Sequence, residues 1–416
     1  MERLLIEGPR TLRGDVRIDG AKNAALPACV ASLLTDESVY LHSVPQLRDV
    51  STILYTLGTL GKRVVRSDDS AAISSDSPLT NRANPFSIRQ MRASFLVVGP
   101  LVARLGEAFI PLPGGCAIGK RPVDLHLQVL RALGAHVEER PGQVHVTANG
   151  LHGGRIDLPY PSVGATEQAL MTAALAHGET SLTGGSIEPE VLDLMSLLIS
   201  MGSHIEREGR VYHIAGRPSL GGAEHRLIPD RIEAGTYLIL GAASGGSITV
   251  RDVEPRHLEP LIDVLRQMGH EIEVADDSIT LNASATPSPI SIATAPHPGF
   301  PTDLHPPLAA HLCTVPGEST IKETVFENRF AYLSQLRAMG SQHEIAGDTV
   351  RLRGVDRLYS ADVEATDLRA GAALIIAALT AQGRTTLRAP EHVDRGYAHL
   401  ERKIHGLGGH IERESD

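Results

Sequence analysis

Six times along this chain a leucine or methionine is followed by a glycine and then by a strand-like stretch, and this repeat restricts the possible folds more than anything else in the sequence. It occurs at Leu60-Gly61, Leu133-Gly134-Ala135-His136-Val137, Met201-Gly202-Ser203-His204-Ile205, Met268-Gly269-His270-Glu271-Ile272, Met339-Gly340-Ser341-Gln342-His343 and Leu407-Gly408-Gly409-His410-Ile411. The copies lie about 70 residues apart, beyond the ~20–50 residues of solenoid repeats, so each marks a small folding unit of its own. A glycine just past a helix is a stop signal, and the stretch after it restarts the chain as a strand.

Upstream of the phrase lies an apolar helix that ends at a turn and passes into a short strand. Leu170 to Ala176 leads into Gly178-Glu179-Thr180-Ser181-Leu182, Leu238 to Ala243 into Gly245-Gly246-Ser247-Ile248-Thr249-Val250, and Ala372 to Leu379 into Gln382-Gly383-Arg384-Thr385-Thr386-Leu387. Helices apolar around most of their circumference are expected to be buried on all sides. Each unit thus holds two helices and several strands. Six units divide into two sets of three, with the boundary expected near Ile228-Pro229-Asp230 and the first residues of the chain completing the second set. Ligands favour domain interfaces, so the expected site is a cleft between the halves. The histidines of the phrase lack ligand spacing and are expected to pack turns and strands rather than bind metal.

Composition removes several classes of function. There is no tryptophan and only 3% aromatic residues among 416, which argues against base-stacking platforms for single-stranded nucleic acid. A formal charge of −10, from 49 acids and 39 bases, disfavours binding to nucleic acid or anionic membrane. Cys29, Cys116 and Cys313 are far apart and odd in number, so neither a disulfide framework nor a thiolate metal site is indicated. The N-terminal Met1 to Gly8 lacks a signal-peptide pattern, and no segment approaches about 18 apolar residues. A cytoplasmic protein without metal or organic cofactor is expected.

The chemistry is concentrated in Pro113-Gly114-Gly115-Cys116-Ala117-Ile118-Gly119-Lys120-Arg121-Pro122-Val123-Asp124. Glycines let backbone amides approach a ligand, and two cations beside a thiol favour its reactive form. Gly114 to Lys120 has the spacing of a phosphate-cradling loop, but Arg121 stands where a magnesium-binding Ser or Thr is needed. Nucleotide triphosphate hydrolysis is therefore discounted and an anionic ligand retained.

The starts of the apolar helices carry further charge: Gly20-Ala21-Lys22-Asn23, Met91-Arg92-Ala93-Ser94, Ser162-Val163-Gly164-Ala165-Thr166, Pro229-Asp230-Arg231, Thr302-Asp303 and Thr366-Asp367-Leu368-Arg369. Ser, Thr and Asp there are ordinary caps, and Thr366 is expected to be one. Cations at a helix N-terminus oppose its dipole at about 0.3–1 kcal/mol, which makes sense where an anion binds. Lys22, Arg92, Arg121 and Arg369 are thus candidate anion ligands, and the turn at Ser162-Val163-Gly164 suits a diphosphate. In Phe326-Glu327-Asn328-Arg329-Phe330 and His392-Val393-Asp394-Arg395-Gly396-Tyr397 an arginine stands near an acid, which is also the pattern of a structural salt bridge.

With these residues assembled, the sequence resembles the UDP-N-acetylglucosamine 1-carboxyvinyltransferases, the enolpyruvyl transferases that open peptidoglycan synthesis. The most specific matches are Gly20 to Pro27, Met91 to Ser94, Gly114 to Gly119, Arg121 to His126, Pro161 to Thr166, Pro229 to Gly235, Gly299 to Asp303, Glu327 to Phe330, Ala365 to Ala370 and Asp394 to Tyr397. The resemblance implies an α/β fold, a two-domain inside-out α/β barrel of six βαβαββ repeats, three per domain. It divides the chain into 1–21 with 230–416 and 22–229, the latter carrying the cysteine loop.

The implied reaction moves the enolpyruvyl group of phosphoenolpyruvate to the 3′-hydroxyl of UDP-N-acetylglucosamine and releases phosphate. By the same resemblance Lys22, Arg92, Arg121, Arg329, Arg369 and Arg395 surround phosphoenolpyruvate, with Lys22 and Arg395 also catalytic. Cys116 is the acid and the thiol that fosfomycin alkylates. Asp303 is placed at the sugar hydroxyl as base. Asn23, Arg92, Arg121, Pro122, Val123, Asp124, Leu125, Ser162, Val163, Gly164, Asp303 and Val325 contact the UDP-sugar. Lys120, Tyr160 and His305-Pro306-Pro307 depart from the family pattern. Two alternatives follow: another uridine acceptor such as UMP, or a paralogue that binds UDP-sugars without catalysis. The enolpyruvylshikimate phosphate synthases lack this cysteine loop.

Overall fold

A strand near the start of the chain pairs with strands near its end, and that pairing sets the architecture. In the computed structural model, which describes residues 2–113 and 123–415, Glu2–Gly8 lies antiparallel between Gly383–Arg388 and His410–Ser415. The chain divides into two compact units. Among the described residues one joins 2–19 to 229–415, and the other comprises 20–113 and 123–228.

The segment 155–215 shows the repeat in full. It runs strand Arg155–Asp157, helix Val163–Ala173, strand Glu179–Thr183, helix Pro189–Ser200, then strands His204–Glu208 and Val211–Ala215. The first two strands pair in parallel, as a crossover through a helix requires, and the rest are antiparallel. The same order recurs with Ser291–Ala293, Glu318–Lys322, Thr349–Arg353 and Gln342–Ala346. Each unit contains three such sheets among the described residues. One of them, of Glu107–Pro111, Gln143–Thr147 and His136–Arg140, has three strands, with an isolated parallel bridge from Arg82 to Phe109 at the fourth place.

Two strands are exchanged. Arg13–Arg17 precedes the middle segment yet pairs in parallel with Ser247–Arg251, while Ala223–Arg226 pairs with Val39–His42. Where the chain leaves and re-enters, Asp230 donates its N–H to the Asp19 carbonyl at 2.9 Å, and Ala21 donates to the Ile228 carbonyl at 2.7 Å.

Six helices are buried along most of their length: Lys22–Ala31, Val98–Leu105, Val163–Ala173, Arg231–Ala243, His305–Leu312 and Leu368–Thr380. Leu368–Thr380 is buried from Leu368 through Leu379, and truncating one of its leucines would cost about 2–5 kcal/mol. The other helix of each repeat is amphipathic; in Glu259–Gln267 the buried residues are Leu261, Ile262, Val264 and Leu265, one face only.

The repeated glycine has a backbone reason. All six take positive φ, from 87° at Gly408 to 109° at Gly61, where a side chain would be strained. The N–H groups of Ala135, Ser203, His270, Ser341 and Gly409 reach back to the carbonyls of Leu130, Leu198, Leu265, Leu336 and Ile404, which closes the helix ends. The histidines beside them do not share one role. His270 is buried against His311 with Nε2 atoms 3.2 Å apart, whereas His136 and His204 are exposed. A polar residue on the solvent side of an edge strand needs no packing partner, so the expected common packing role holds only in part.

Candidate active site

Asp303 stands in the turn just before the helix His305–Leu312. That helix tolerates Pro306 and Pro307 because both fall in its first turn, where backbone N–H groups have no helical acceptor. Two arginines from distant segments close on the Asp303 carboxylate: Arg329 Nη2 donates to Oδ1 at 2.7 Å and Arg369 Nη2 to Oδ2 at 3.0 Å. Both arginines are only 4% exposed. Charge-assisted bonds of this kind are the strong class, and two of them from buried guanidiniums fix the plane of a carboxylate whose side chain is itself 27% exposed.

Arg369 is held from behind as well. Its Nη1 donates to the Tyr397 hydroxyl at 3.2 Å, and Tyr397 lies 2.9 Å from Thr236 Oγ1, which in turn donates to the Ile232 carbonyl. Burial works against the Arg369 cation, but the facing Asp303 carboxylate and Tyr397 more than offset it and keep the group charged. The helix start is capped by Asp367, which accepts from the N–H groups of Arg369 and Ala370. Thr366, expected as a cap, does not serve: its Oγ1 has no hydrogen-bond partner among the described residues. Asp367 is one residue closer to the helix, within reach of both amides.

Neither arginine-and-acid cluster pairs as its spacing suggests. Arg329 bonds Asp303 rather than Glu327, and Asp394 is gripped by Arg413 at 2.7 and 2.9 Å. Arg395 ends the short 3₁₀ helix Pro390–Arg395, which packs on Leu368–Thr380. Val325 lies in the loop before Arg329, its N–H donated to Glu323 at 2.7 Å.

The other unit gathers a second group. Lys22 opens the helix Lys22–Ala31 and lies 3.4 Å from Asp49, with side chains 12% and 6% exposed. Asn23 follows it, and Pro27 has no N–H to give the Asn23 carbonyl. Arg92 opens the 3₁₀ turn Arg92–Val97, which packs on that helix. Val123, Asp124 and Leu125 lead into the helix Asp124–Ala132, and Ser162, Val163 and Gly164 open Val163–Ala173, against which it packs. Ser162 Oγ accepts the Ala165 N–H at 3.4 Å.

His126 links these pieces. It is buried against Phe95, and burial together with the Arg92 cation pushes its imidazole down to about 4. A Cβ added to Gly164 would come within 2.9 Å of the His126 ring, so only glycine permits this approach. Cys116, Arg121 and Pro122 lie outside the described residues, as does Lys120.

A family model described as EPSP synthase (3-phosphoshikimate 1-carboxyvinyltransferase) matches residues 6–404. UDP-N-acetylglucosamine 1-carboxyvinyltransferase 2 of Carboxydothermus hydrogenoformans is 46% identical over 419 residues, covering 100% of both chains. The UDP-N-acetylglucosamine 1-carboxyvinyltransferase of Halorhodospira halophila is 42% identical with the same coverage. The chain belongs to this carboxyvinyltransferase family.

Among solved structures, the enolpyruvyl transferase NikO of Streptomyces tendae superimposes with a TM-score of 0.92 at 27% identity, covering 100% of this chain and 99% of that one. An EPSP synthase of Acinetobacter baumannii gives 0.77 at 18% identity over the whole of both chains, a likeness of fold. The carboxyvinyltransferase fold, with its βαβαββ repeats, is therefore the one expected from the sequence. Reading the sequence did not find Glu323, Tyr397, Thr236 or His126 as site residues. Of these Tyr397 and His126 carried a signal, their places at the ends of the Asp394 to Tyr397 and Arg121 to His126 motifs.

Proposed function

We propose that this carboxyvinyltransferase transfers the enolpyruvyl group of phosphoenolpyruvate to the 3′-hydroxyl of UDP-N-acetylglucosamine and releases phosphate, the opening step of peptidoglycan synthesis in the cytoplasm. One observation carries the reading: Arg329 and Arg369 converge on Asp303 while Nε and Nη1 of the buried Arg329 have no partner among the described residues. Buried guanidinium nitrogens left unbonded are costly, and a compact anion such as phosphoenolpyruvate satisfies them. The full-length relatives named for this reaction support the choice of acceptor.

In this reading the sugar hydroxyl adds to C2 of phosphoenolpyruvate and gives its proton to Asp303, while the Cys116 thiol gives a proton to C3. The Cys116 thiolate then takes a proton back from C3 as phosphate leaves C2, carrying away the proton held by Asp303, and the double bond is restored. Lys22, Arg92, Arg121, Arg329, Arg369 and Arg395 neutralise the donor's charge through both steps. Asn23, Val123, Asp124, Leu125, Pro122 and Val325 contact the uridine nucleotide, with Ser162, Val163 and Gly164 on its diphosphate. The residues assigned belong to both units, taken as 1–21 with 230–416 and 22–229. Fosfomycin alkylates Cys116. No helix among the described residues is long and apolar enough to cross a membrane.

The test is phosphate release from phosphoenolpyruvate with UDP-N-acetylglucosamine, UDP or UMP as acceptor, with Cys116→Ala as control. Release with the amino sugar alone supports the reading. Release with UMP alone moves the chain to a different uridine acceptor, and binding without release with any acceptor makes it a non-catalytic paralogue.

A further inference from the structure

Glu323 follows the strand Glu318–Lys322, which carries the chain into the Val325–Arg329 loop, and its side chain is 1% exposed. A carboxylate this deep demands partners, and it has them. Oε1 accepts the N–H groups of Val325 at 2.7 Å and Phe326 at 3.0 Å, and Oε2 accepts the Thr302 hydroxyl at 2.8 Å. The fully buried His305 brings Nε2 to 3.2 Å from Oε2, and its Nδ1 lies 3.3 Å from the Tyr332 hydroxyl. Thr302 and His305 flank Asp303 in sequence, while Val325 and Phe326 lead into Arg329. One side chain therefore fastens together the two segments whose tips meet in the Asp303 and Arg329 pair.

We propose that Glu323 is a positioning residue for the acceptor end of the site, holding the Val325 loop against the Thr302-Asp303 turn so that Val325 and Asp303 meet the acceptor's sugar. This rests on the reading above. The bonds of Glu323 run to the Val325 loop and the Thr302-Asp303 turn and not to Arg369 or Tyr397. Loss of the carboxylate should therefore fall mainly on the uridine nucleotide and much less on phosphoenolpyruvate, which the same loop meets only at its far end, through Arg329, and which in this reading five other cations also hold. Glutamine keeps a carbonyl oxygen for both amides and an NH₂ that Thr302 Oγ1 can accept from, so it should restore most of the function.

The experiment compares wild type, Glu323→Ala, Glu323→Gln and Thr302→Val by steady-state kinetics, with KM measured separately for each substrate and thermal unfolding as a check. Expected are a KM for UDP-N-acetylglucosamine raised at least tenfold in Glu323→Ala, a KM for phosphoenolpyruvate within about twofold of wild type, and recovery to within threefold in Glu323→Gln. Thr302→Val, which removes one donor from a chain that otherwise keeps its bonds, should shift the same KM about threefold and serves if Glu323→Ala does not fold. Both KM values unchanged, or both raised equally, overturns the proposal while leaving the activity standing. A wild-type chain that neither binds nor turns over a uridine nucleotide removes the reading and this inference together.

Discussion

Tyr397 and Arg369 meet through a single hydrogen bond, 3.2 Å from Nη1 to the phenol oxygen, in a pocket closed to water. Burial, against the pull of the neighbouring arginine, keeps the phenol protonated, so Tyr397 can accept from Arg369 and pass its own proton toward Thr236. The guanidinium thereby has one face set by protein and the other by Asp303. Tyr397→Phe deletes that oxygen alone. A bond to a charged group contributes about 1.5–3 kcal/mol, so kcat/KM for phosphoenolpyruvate should fall roughly tenfold or more, and the unfolding temperature should fall as well because a buried guanidinium N–H loses its acceptor. Initial-rate kinetics beside calorimetry checks it; an unchanged kcat/KM would show that Asp303 alone orients Arg369.

Asp303→Asn separates the two duties of this carboxylate. The amide oxygen still accepts from one arginine, but no proton can be taken from the acceptor hydroxyl. General-base catalysis is typically worth 10²–10⁴ in rate, so kcat should drop by about that factor. Removing the anion between two guanidiniums should leave the KM for phosphoenolpyruvate equal or lower. Loss of donor binding with kcat retained would refute the assignment.

The buried His126 makes stability fall in acid. Its imidazole, pushed down to about 4 from 6.5 by burial first and by Arg92 second, binds a proton more readily in the unfolded chain. Between these two values the unfolded state therefore holds more protons, and stability rises with pH and is lost as pH falls from 6.5 toward 4. The whole effect is roughly 3 kcal/mol. His270 at about 4 and His311 at about 3 act in the same direction. Urea unfolding across pH 4 to 7 should show the slope, and His126→Gln should make it shallower by about one proton.

At Gly164 even one methyl group is too many. Its Cβ would lie 2.9 Å from the His126 ring, so Gly164→Ala must displace either the ring or the first turn of Val163–Ala173. Overpacking of this kind costs about 1–3 kcal/mol. The expected result is a lower unfolding midpoint together with weaker nucleotide binding by titration calorimetry; either change without the other would separate packing from ligand contact.

Much of this was readable from local pattern. The Leu/Met-Gly phrase announces helix ends because a positive φ admits little but glycine, and the apolar helices announce burial because no face is left for water. The polar openings of those helices led to Asp303 and Arg369, and the Phe326 to Phe330 cluster to Arg329; the fold brings the three together. What local pattern could not supply was the choice of partner between distant segments. Arg329 has Glu327 two residues away yet bonds Asp303, and Asp394 adjoins Arg395 yet is held by Arg413. Glu323 reads as an ordinary polar residue until its burial is known, and His126, although it closes the Arg121 to His126 motif, shows its packing role only in the fold. The exchange of Arg13–Arg17 and Ala223–Arg226 is likewise a choice of partner between distant segments.

That exchange bears on the order in which the protein can be completed on the ribosome. Among the described residues the middle segment owns every strand of its three sheets, so it can close once Ala223–Arg226 has been made. The opening strands have no such option. Arg13–Arg17 must wait for Ser247–Arg251, and Glu2–Gly8, made before either of its neighbours, finds them only when Gly383–Arg388 and His410–Ser415 emerge. Strands made ahead of the middle segment are thus seated only after it, and one unit can mature while the other still awaits its partners.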